Sequence, residues 1–422
     1  MTHGRRTPAP RRRRTSLAVA LVTLFAFLAG CGSASPRPRP APVGVRRDIP
    51  EAVHADDGLA ISLLQRLGSG GGNVVFSPYS IETALSMVGA GAAGSTATEI
   101  DHVLDTTRPA AVAAGLAAVE DRLSAASRSP GGPRIELANG LWVQSGLALR
   151  KPFTQTLSSR FGAPPRGVDF RAAPDAARQS INAWVAARTA HLITNLFPAD
   201  TITSQTALVL ANAIHLAARW ANPFVSSETA PGPFYTGAGA TVQAPFMAQA
   251  PVELSYTRGN GYQAIDLPYA HSSLSMLVVM PAPGTLARFE QSLGTASVAR
   301  VDRALRPTRV ALQMPKFHLS FDTGLVPVLS ELGMPIAFSD AADFSGITSQ
   351  TALKISAVQH AANLRVDEQG TIAAAATGIA VEPTAIPVAP ATRLTLDHPF
   401  LLFLRDDASG AILFVGQVTN PV

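Results

Sequence analysis

Apolar positions change their spacing along this chain. In residues 52–67, Leu59, Ile61, Leu63 and Leu64 recur at helical spacing, and glycines at 68 and 70–72 stop the pattern. Residues 81–89, 109–126, 176–192 and 324–332 also predict helices, the third with Trp184 turned inward. Residues 136–144 have strand character around Trp142. Residues 207–216 and 275–280 are continuous apolar runs, as expected of strands covered on both faces. The chain ends in a predicted hairpin, 400–404 and 411–418, with a polar turn over 406–410. Helices come mostly early and strands mostly late, without a fixed-period repeat, so the pattern predicts an α+β fold.

One segment fits neither period. Glu368, Gln369, Gly370, Thr371 and Ile372 lead into Ala373, Ala374, Ala375, Ala376 and Thr377. An alanine run usually reads as helix. Here it is short, bounded by Gly370 and Gly378, with Pro383, Pro387 and Pro390 downstream. Taken alternately, Thr371, Ala373, Ala375, Thr377, Ile379 and Val381 share one face of a strand, small at first and then β-branched. Such a segment can live as an exposed loop and also fit between two strands.

Charge changes the picture only at the N-terminus. The formal net charge is +5, but six arginines lie within the first 14 residues, ahead of any acidic residue. Without them 28 basic side chains face 29 acidic ones, so no basic surface for nucleic acid is expected. Those arginines precede an apolar run of 14 residues, 17–30, too short for a comfortable membrane span. The run ends in Leu28, Ala29, Gly30 and Cys31, which resembles the bacterial lipobox. Residues 1–30 are therefore expected to be a lipoprotein signal peptide, with Cys31 lipidated. Cys31 is the one cysteine in the sequence, so no intramolecular disulfide can form. Residues 31–50, rich in proline and arginine, predict an extended tether. The expected location is the outer face of a bacterial cell membrane or the extracellular space, with the lipid as the only membrane contact.

Catalytic motifs are not present in the sequence. It contains no G-x-S-x-G, H-E-x-x-H or Walker loop, and its nine histidines are scattered without metal-ligand spacing. An enzyme, a metal site and a cofactor are accordingly not expected. A different chemistry is suggested by polar residues inside apolar runs: Ser77, Ser80, Asn212 and His360. Buried polar groups need partners, at a cost of roughly 1–3 kcal/mol for each one left without.

The segment at 368–377 resembles the reactive-loop hinge of serpins, E-E-G-T-E-A-A-A-A-T. Asn73, Phe76, Ser77, Pro78, Ser80 and Ile81 resemble the N-x-x-F-S-P-x-S-I segment of that family. Leu210, Asn212, Ala213 and Ile214, then Trp220, Pro223 and Phe224, resemble its L-x-N-A-I…W…P-F series. Leu267, Pro268 and Tyr269, then Ser275 and Met276, are similar to L-P-Y…S-M, and Pro315, Lys316 and Phe317 to P-K-F. Asp397, His398, Pro399 and Phe400 precede Phe414, Gly416, Val418, Asn420 and Pro421 in the signature order. The matches run in family order over residues 51–422. Two positions depart from the pattern: Ile372 stands where glutamate is usual, and Asn363 where an apolar residue is usual.

The resemblance implies one serpin domain over 51–422, with three β-sheets, about nine helices and an exposed loop. It implies suicide inhibition of a serine protease: the loop is cleaved, inserts into the main sheet and drags the acyl-enzyme with it. It implies that Ser77, Ser80, Asn212 and His360 cluster beneath the opening centre of that sheet. Trp220 would stand where the loop enters, and Lys316 would pair with Glu368 at the loop base. Thr371 would be the first side chain to insert, from a solvated loop. The reactive bond falls at Thr384–Ala385, with Glu382, Ala385 and Ile386 as alternative positions. A small residue there suits elastase-like or subtilisin-like targets, with cysteine proteases a second class. A monomer without cofactor is expected. The alternative reading is a non-inhibitory serpin acting as a surface carrier, against which the small hinge residues argue.

Overall fold

The structure is a computed structural model that describes residues 48–371 and 391–422. Among them are nine α-helices: α1 (Ile49–Leu67), α2 (Pro78–Gly89), α3 (Gly94–Val103), α4 (Pro109–Arg128), α5 (Lys151–Arg160), α6 (Pro174–Arg188), α7 (Leu286–Gln291), α8 (Ser297–Ala304) and α9 (Val326–Glu331). The predicted helix at 176–192 stops earlier, because Ala190 and His191 take left-handed φ values of 49° and 61°. Trp184 is half-buried rather than fully inward. It stands edge-on to Trp142, with the guanidinium groups of Arg166 and Arg188 over its ring at 5.0 and 4.7 Å.

Early strands alternate with these helices: β1 (Val74–Phe76), β2 (Arg134–Gln144), β3 (Arg166–Val168) and β4 (Leu208–Arg219). A strand-rich stretch follows: β5 (Ala230–Tyr235), β6 (Thr241–Gly259), β7 (Tyr262–Pro268), β8 (Leu274–Pro281), β9 (Arg306–Pro315) and β10 (Phe317–Gly324). The last are β11 (Ala357–Asp367), β12 (Gly370–Thr371), β13 (Thr392–Thr395), β14 (Phe400–Asp406) and β15 (Ile412–Val418). The predicted terminal hairpin is β14–β15.

These strands form two hydrogen-bonded ladders. One has six strands in the order β10-β11-β12-β4-β2-β3. The other has nine, β1-β15-β14-β8-β7-β6-β9-β13, with β5 on β6. The third of the expected sheets is part of the larger ladder, because β6 runs through both. Its first half pairs β5 and its second half pairs β7, and its register with β9 shifts between Gln249 and Val252.

Alternation along the six-stranded sheet decides what lies on each face. Val209, Ala211 and Ala213 of β4 pack with Ile181 and Val185 of α6 in a smaller core. Leu208, Leu210 and Ile214 face the main core, which includes Ile81 and Leu85 of α2. Even-numbered Asn212 therefore points to the α2 side. Strands β8, β14 and β15 are buried throughout, which explains their unbroken apolar runs.

Candidate functional site

Strands β4 and β11 pair in parallel from Val209–Ala357 to Ile214–Ala362, then part. Above this point β12 lies between them, with Gly370 opposite Arg219 and Asp367, and Thr371 opposite Ala218 and Val366. In the interval, residues 215–217 of β4 pair only with β2, and residues 363–365 of β11 only with β10. Among the described residues their facing edges carry no ladder, and an unpaired strand edge is a template for another strand. The departure at Asn363 has a local account: the His318 ring shares a 3.0 Å hydrogen bond with its Oδ1.

The upper end of this opening is held by side chains around the loop base. Thr371 is 1% exposed, and its hydroxyl and that of Tyr269 are hydrogen-bonded at 2.6 Å. Tyr269 stacks on Trp220, with ring centroids 4.5 Å apart. Trp220 donates through Nε1 to the Asp367 carbonyl at 3.0 Å and through its amide to the Gln369 carbonyl at 2.9 Å. Gly370 has φ +151°, and a Cβ there would sit 2.0 Å from the Ala218 carbonyl oxygen, so only glycine fits. Lys316 Nζ pairs with Glu368 Oε2 at 2.8 Å, and the Thr229 hydroxyl donates to Oε1 at 2.7 Å. Burial alone would raise the Glu368 carboxyl. The Lys316 and Thr229 hydrogen bonds outweigh it and hold the group below its ordinary range.

Below the opening runs a polar row. Asn139, Asn212 and His360 are register partners on β2, β4 and β11. The Ser77 amide donates to His360 Nε2 at 3.1 Å. That nitrogen must be an acceptor, so the proton sits on Nδ1 and is donated to Asn212 Oδ1 at 2.8 Å. The Asn212 amide donates to Asn139 Oδ1 at 2.6 Å and to the Ser80 carbonyl. Ser77 caps α2, its Oγ accepting the Ser80 amide at 3.1 Å, and Pro78 follows in the first turn. Burial without a counter-charge lowers the His360 imidazole to about 3, so it is neutral here at ordinary pH.

The structure thus brings Ser77, Asn212 and His360 into one network. Ser80 joins only through its backbone, since its buried hydroxyl has no partner among the described residues. Trp220, Lys316, Glu368, Gly370 and Thr371 meet at the upper end. One expectation is corrected: Gly370 and Thr371 are already strand residues, not part of a solvated loop. Ala373, Ala374, Ala375, Ala376, Thr377, Thr384, Ala385 and Cys31 lie outside the described residues. Sequence reasoning missed Asn139, Tyr269 and Thr229. Asn139 had a signal, being polar inside a strand pattern; Tyr269 was visible only as part of a motif.

The remaining chemistry is structural. The Asp397–His398 pair holds the terminal hairpin: His398 Nδ1 meets Asp397 Oδ1 at 2.7 Å, and Nε2 donates to the Pro281 carbonyl at 2.8 Å. Among the described residues no group of three or more acidic, histidine or cysteine side chains is arranged to hold a metal. No described helix is long and apolar enough to cross a membrane.

A family model described as "Serpin (serine protease inhibitor)" matches residues 54–421. Serpin-Z1B of Triticum aestivum is 34% identical over 378 residues, covering 86% of this chain and 94% of that protein. Human thyroxine-binding globulin, solved as a complex with thyroxine, is 26% identical with a TM-score of 0.78, covering 89% of this chain and 100% of that one. Native protease nexin-1, solved with heparin, is 27% identical with a TM-score of 0.78, again covering 89% and 100%.

Proposed function

Because this chain belongs to the serpin family, we propose that it is a suicide inhibitor of serine proteases. The carrying observation is β12, seated between β4 and β11 where they part, with edges directly below that have no partner among the described residues. Continuation of that strand is the step inhibition requires. A protease attacks the loop at Thr384–Ala385 and forms an acyl-enzyme. The freed hinge, Ala373 to Thr377, extends β12 down the opening and carries the tethered enzyme with it. Serpin loop insertion is an established example of strand addition, so the mechanism is the family's. The protein acts as bait rather than as a catalyst.

The favoured targets are elastase-like or subtilisin-like enzymes, from the small residue at the reactive bond. Incubation with a protease panel, then denaturing electrophoresis, tests the reading. An SDS-stable complex with at least one such protease is expected. Cleavage without complex across the panel would instead favour a binding protein, as thyroxine-binding globulin is for thyroxine.

The placement of the inhibitor belongs to the same proposal. Residues 1–30 direct export, Cys31 carries lipid, and the stretch from 31 up to the start of α1 at Ile49 holds the domain away from a bacterial membrane surface. Cys31→Ser should leave the protein unprocessed or released from membranes. A mature N-terminus elsewhere, without lipid, would refute the anchor and leave the inhibitory reading intact.

A further inference from the structure

Two acids lie in the interior at α1 and α2 without a paired counter-charge. Asp56 on α1 is 1% exposed and Glu82 on α2 is 0% exposed. The Ile412 amide reaches Asp56 Oδ2 at 2.6 Å. Asp56 Oδ1 and both Glu82 oxygens have no hydrogen-bond partner among the described residues. An ionised carboxylate in such a place is costly unless paired, and a protonated one far less so.

The surroundings add negative charge. Asp57 on α1 acts on both Asp56 and Glu82, and the Tyr79 hydroxyl, under the influence of Asp56, Glu82 and Glu120 of α4, donates to the Leu116 carbonyl. Cations nearby are engaged elsewhere. Arg405 attracts Asp57 but bonds Asp266, Asp302 and Asp407, while Arg122 pairs with Asp406 and Arg108 with Asp48 and Glu51. Among the described residues no side chain of the other packed elements forms an ion pair with either acid. β15 has no ionisable side chain, and on β2 Arg134 and Glu136 bond each other. β4 carries His215 and Arg219 beyond Asn212. α3 carries Glu99, which accepts the Ile336 amide, with Asp101 and His102, and α7 sets Glu290 beside Gln65 at the far end of α1.

We propose that Asp56 and Glu82 are held as neutral acids and form a proton-dependent clamp on α2, tight in acid and loosened as pH rises. Burial raises both carboxyls well above their ordinary range, Asp57 adding to Asp56, and Asp56 and Asp57 adding to Glu82. Burial also lifts Asp57 and Glu120 to about 7. A carboxyl raised on folding contributes stability that is fully present below its unfolded value, about 4.3 for glutamate. That stability is lost as pH climbs toward the folded value. The unfolding constant then rises about tenfold per pH unit for each such group.

The clamp bears on the loop site through one helix. Glu82 is two residues beyond Ser80, whose carbonyl receives the Asn212 amide, and five beyond Ser77, whose amide holds His360. Ionisation should therefore loosen the polar row along with α2. This last effect rests on the inhibitory reading above; the clamp does not.

Unfolding free energies of wild type, Glu82→Gln and Asp56→Asn, compared from pH 4.5 to 9, test the clamp without a protease. The wild type should lose stability relative to each isosteric variant as pH rises, approaching tenfold in the unfolding constant per unit. Wild-type and variant profiles that run parallel would overturn the proposal. An infrared measurement needs no pH series: at pH 7 the wild type should show protonated-carboxyl carbonyl absorption that weakens in Glu82→Gln. If the variants fail to fold, complete absence of that absorption from wild type overturns the proposal equally. With a cognate protease, the yield of stable complex should change with pH less in Glu82→Gln than in wild type. Failure of all complex formation would bear on the inhibitory reading alone, since the stability and infrared results stand without it.

Discussion

Removing the His360 ring would leave two buried groups without partners, the Ser77 amide and Asn212 Oδ1. At about 1–3 kcal/mol each, His360→Ala should cost several kcal/mol in denaturant unfolding, well beyond an ordinary surface change. The ring also sets an acid limb. Its folded value is about 3, against about 6.5 unfolded, so the unfolded chain takes up a proton that the native state refuses. Stability is thus intact above pH 6.5 and falls by about 1.4 kcal/mol per unit down to about pH 3. His360→Gln should flatten this limb, and an unchanged acid slope in urea titrations would contradict the assigned neutral ring. The opposite sign at Glu82 works against this limb where the two overlap, above about pH 4.3 and below about 6.5. At this scale the sequence was informative about which polar residues interrupt apolar runs. Their partners were not legible, because the contact between Ser77 and His360 joins residues 283 apart.

At the scale of elements, β12 changes what a hinge substitution means. Thr371 is buried against Tyr269 before any cleavage, so Thr371→Arg would place an unpaired cation inside the native protein. It should lower native stability by several kcal/mol as well as hinder insertion, and so cannot isolate the insertion step. Thr371→Val and Tyr269→Phe separate the terms. Each single change leaves one hydroxyl unpaired and should cost about 1–3 kcal/mol, while the double variant should cost less than the sum. Strict additivity in that cycle would mean the 2.6 Å contact contributes nothing. The helices and the terminal hairpin were readable because their periods and caps are local. The short α7 and the long β6 were not, since a helix of six residues offers under two turns of pattern, and β6 changes partners midway. The seating of β12 was hidden for another reason. Alternating small residues fit an exposed loop and a strand equally well, and only the parting of β4 from β11 decides where the strand begins.

For the whole molecule the question is which state is lower in free energy. Among the described residues the main sheet holds two residues of β12 and, below them, three positions on each facing edge without a ladder partner. Extending β12 must part β4 from β11 over Val209–Ile214, where they now pair directly. Lost cross-strand bonds are replaced by two new ladders, one on each side of the incoming strand. A gain of roughly ten backbone hydrogen bonds, at about 0.5–1.5 kcal/mol each, amounts to order 10 kcal/mol in favour of insertion. On the proposed reading the uninserted form persists kinetically, because insertion must first part Asn212 from His360. On the proposed inhibitory reading, cutting the loop between Gly378 and Ala385 frees the hinge to insert. The cleaved protein should therefore melt at a much higher temperature than the intact one, and scanning calorimetry of the two forms reads the difference directly. The same cut in a Gly370→Ala variant should give a smaller rise, because a Cβ facing the Ala218 carbonyl at 2.0 Å displaces the first residue of the inserting strand. Cleaved and intact wild-type proteins that melt together would remove the free-energy difference on which suicide inhibition depends.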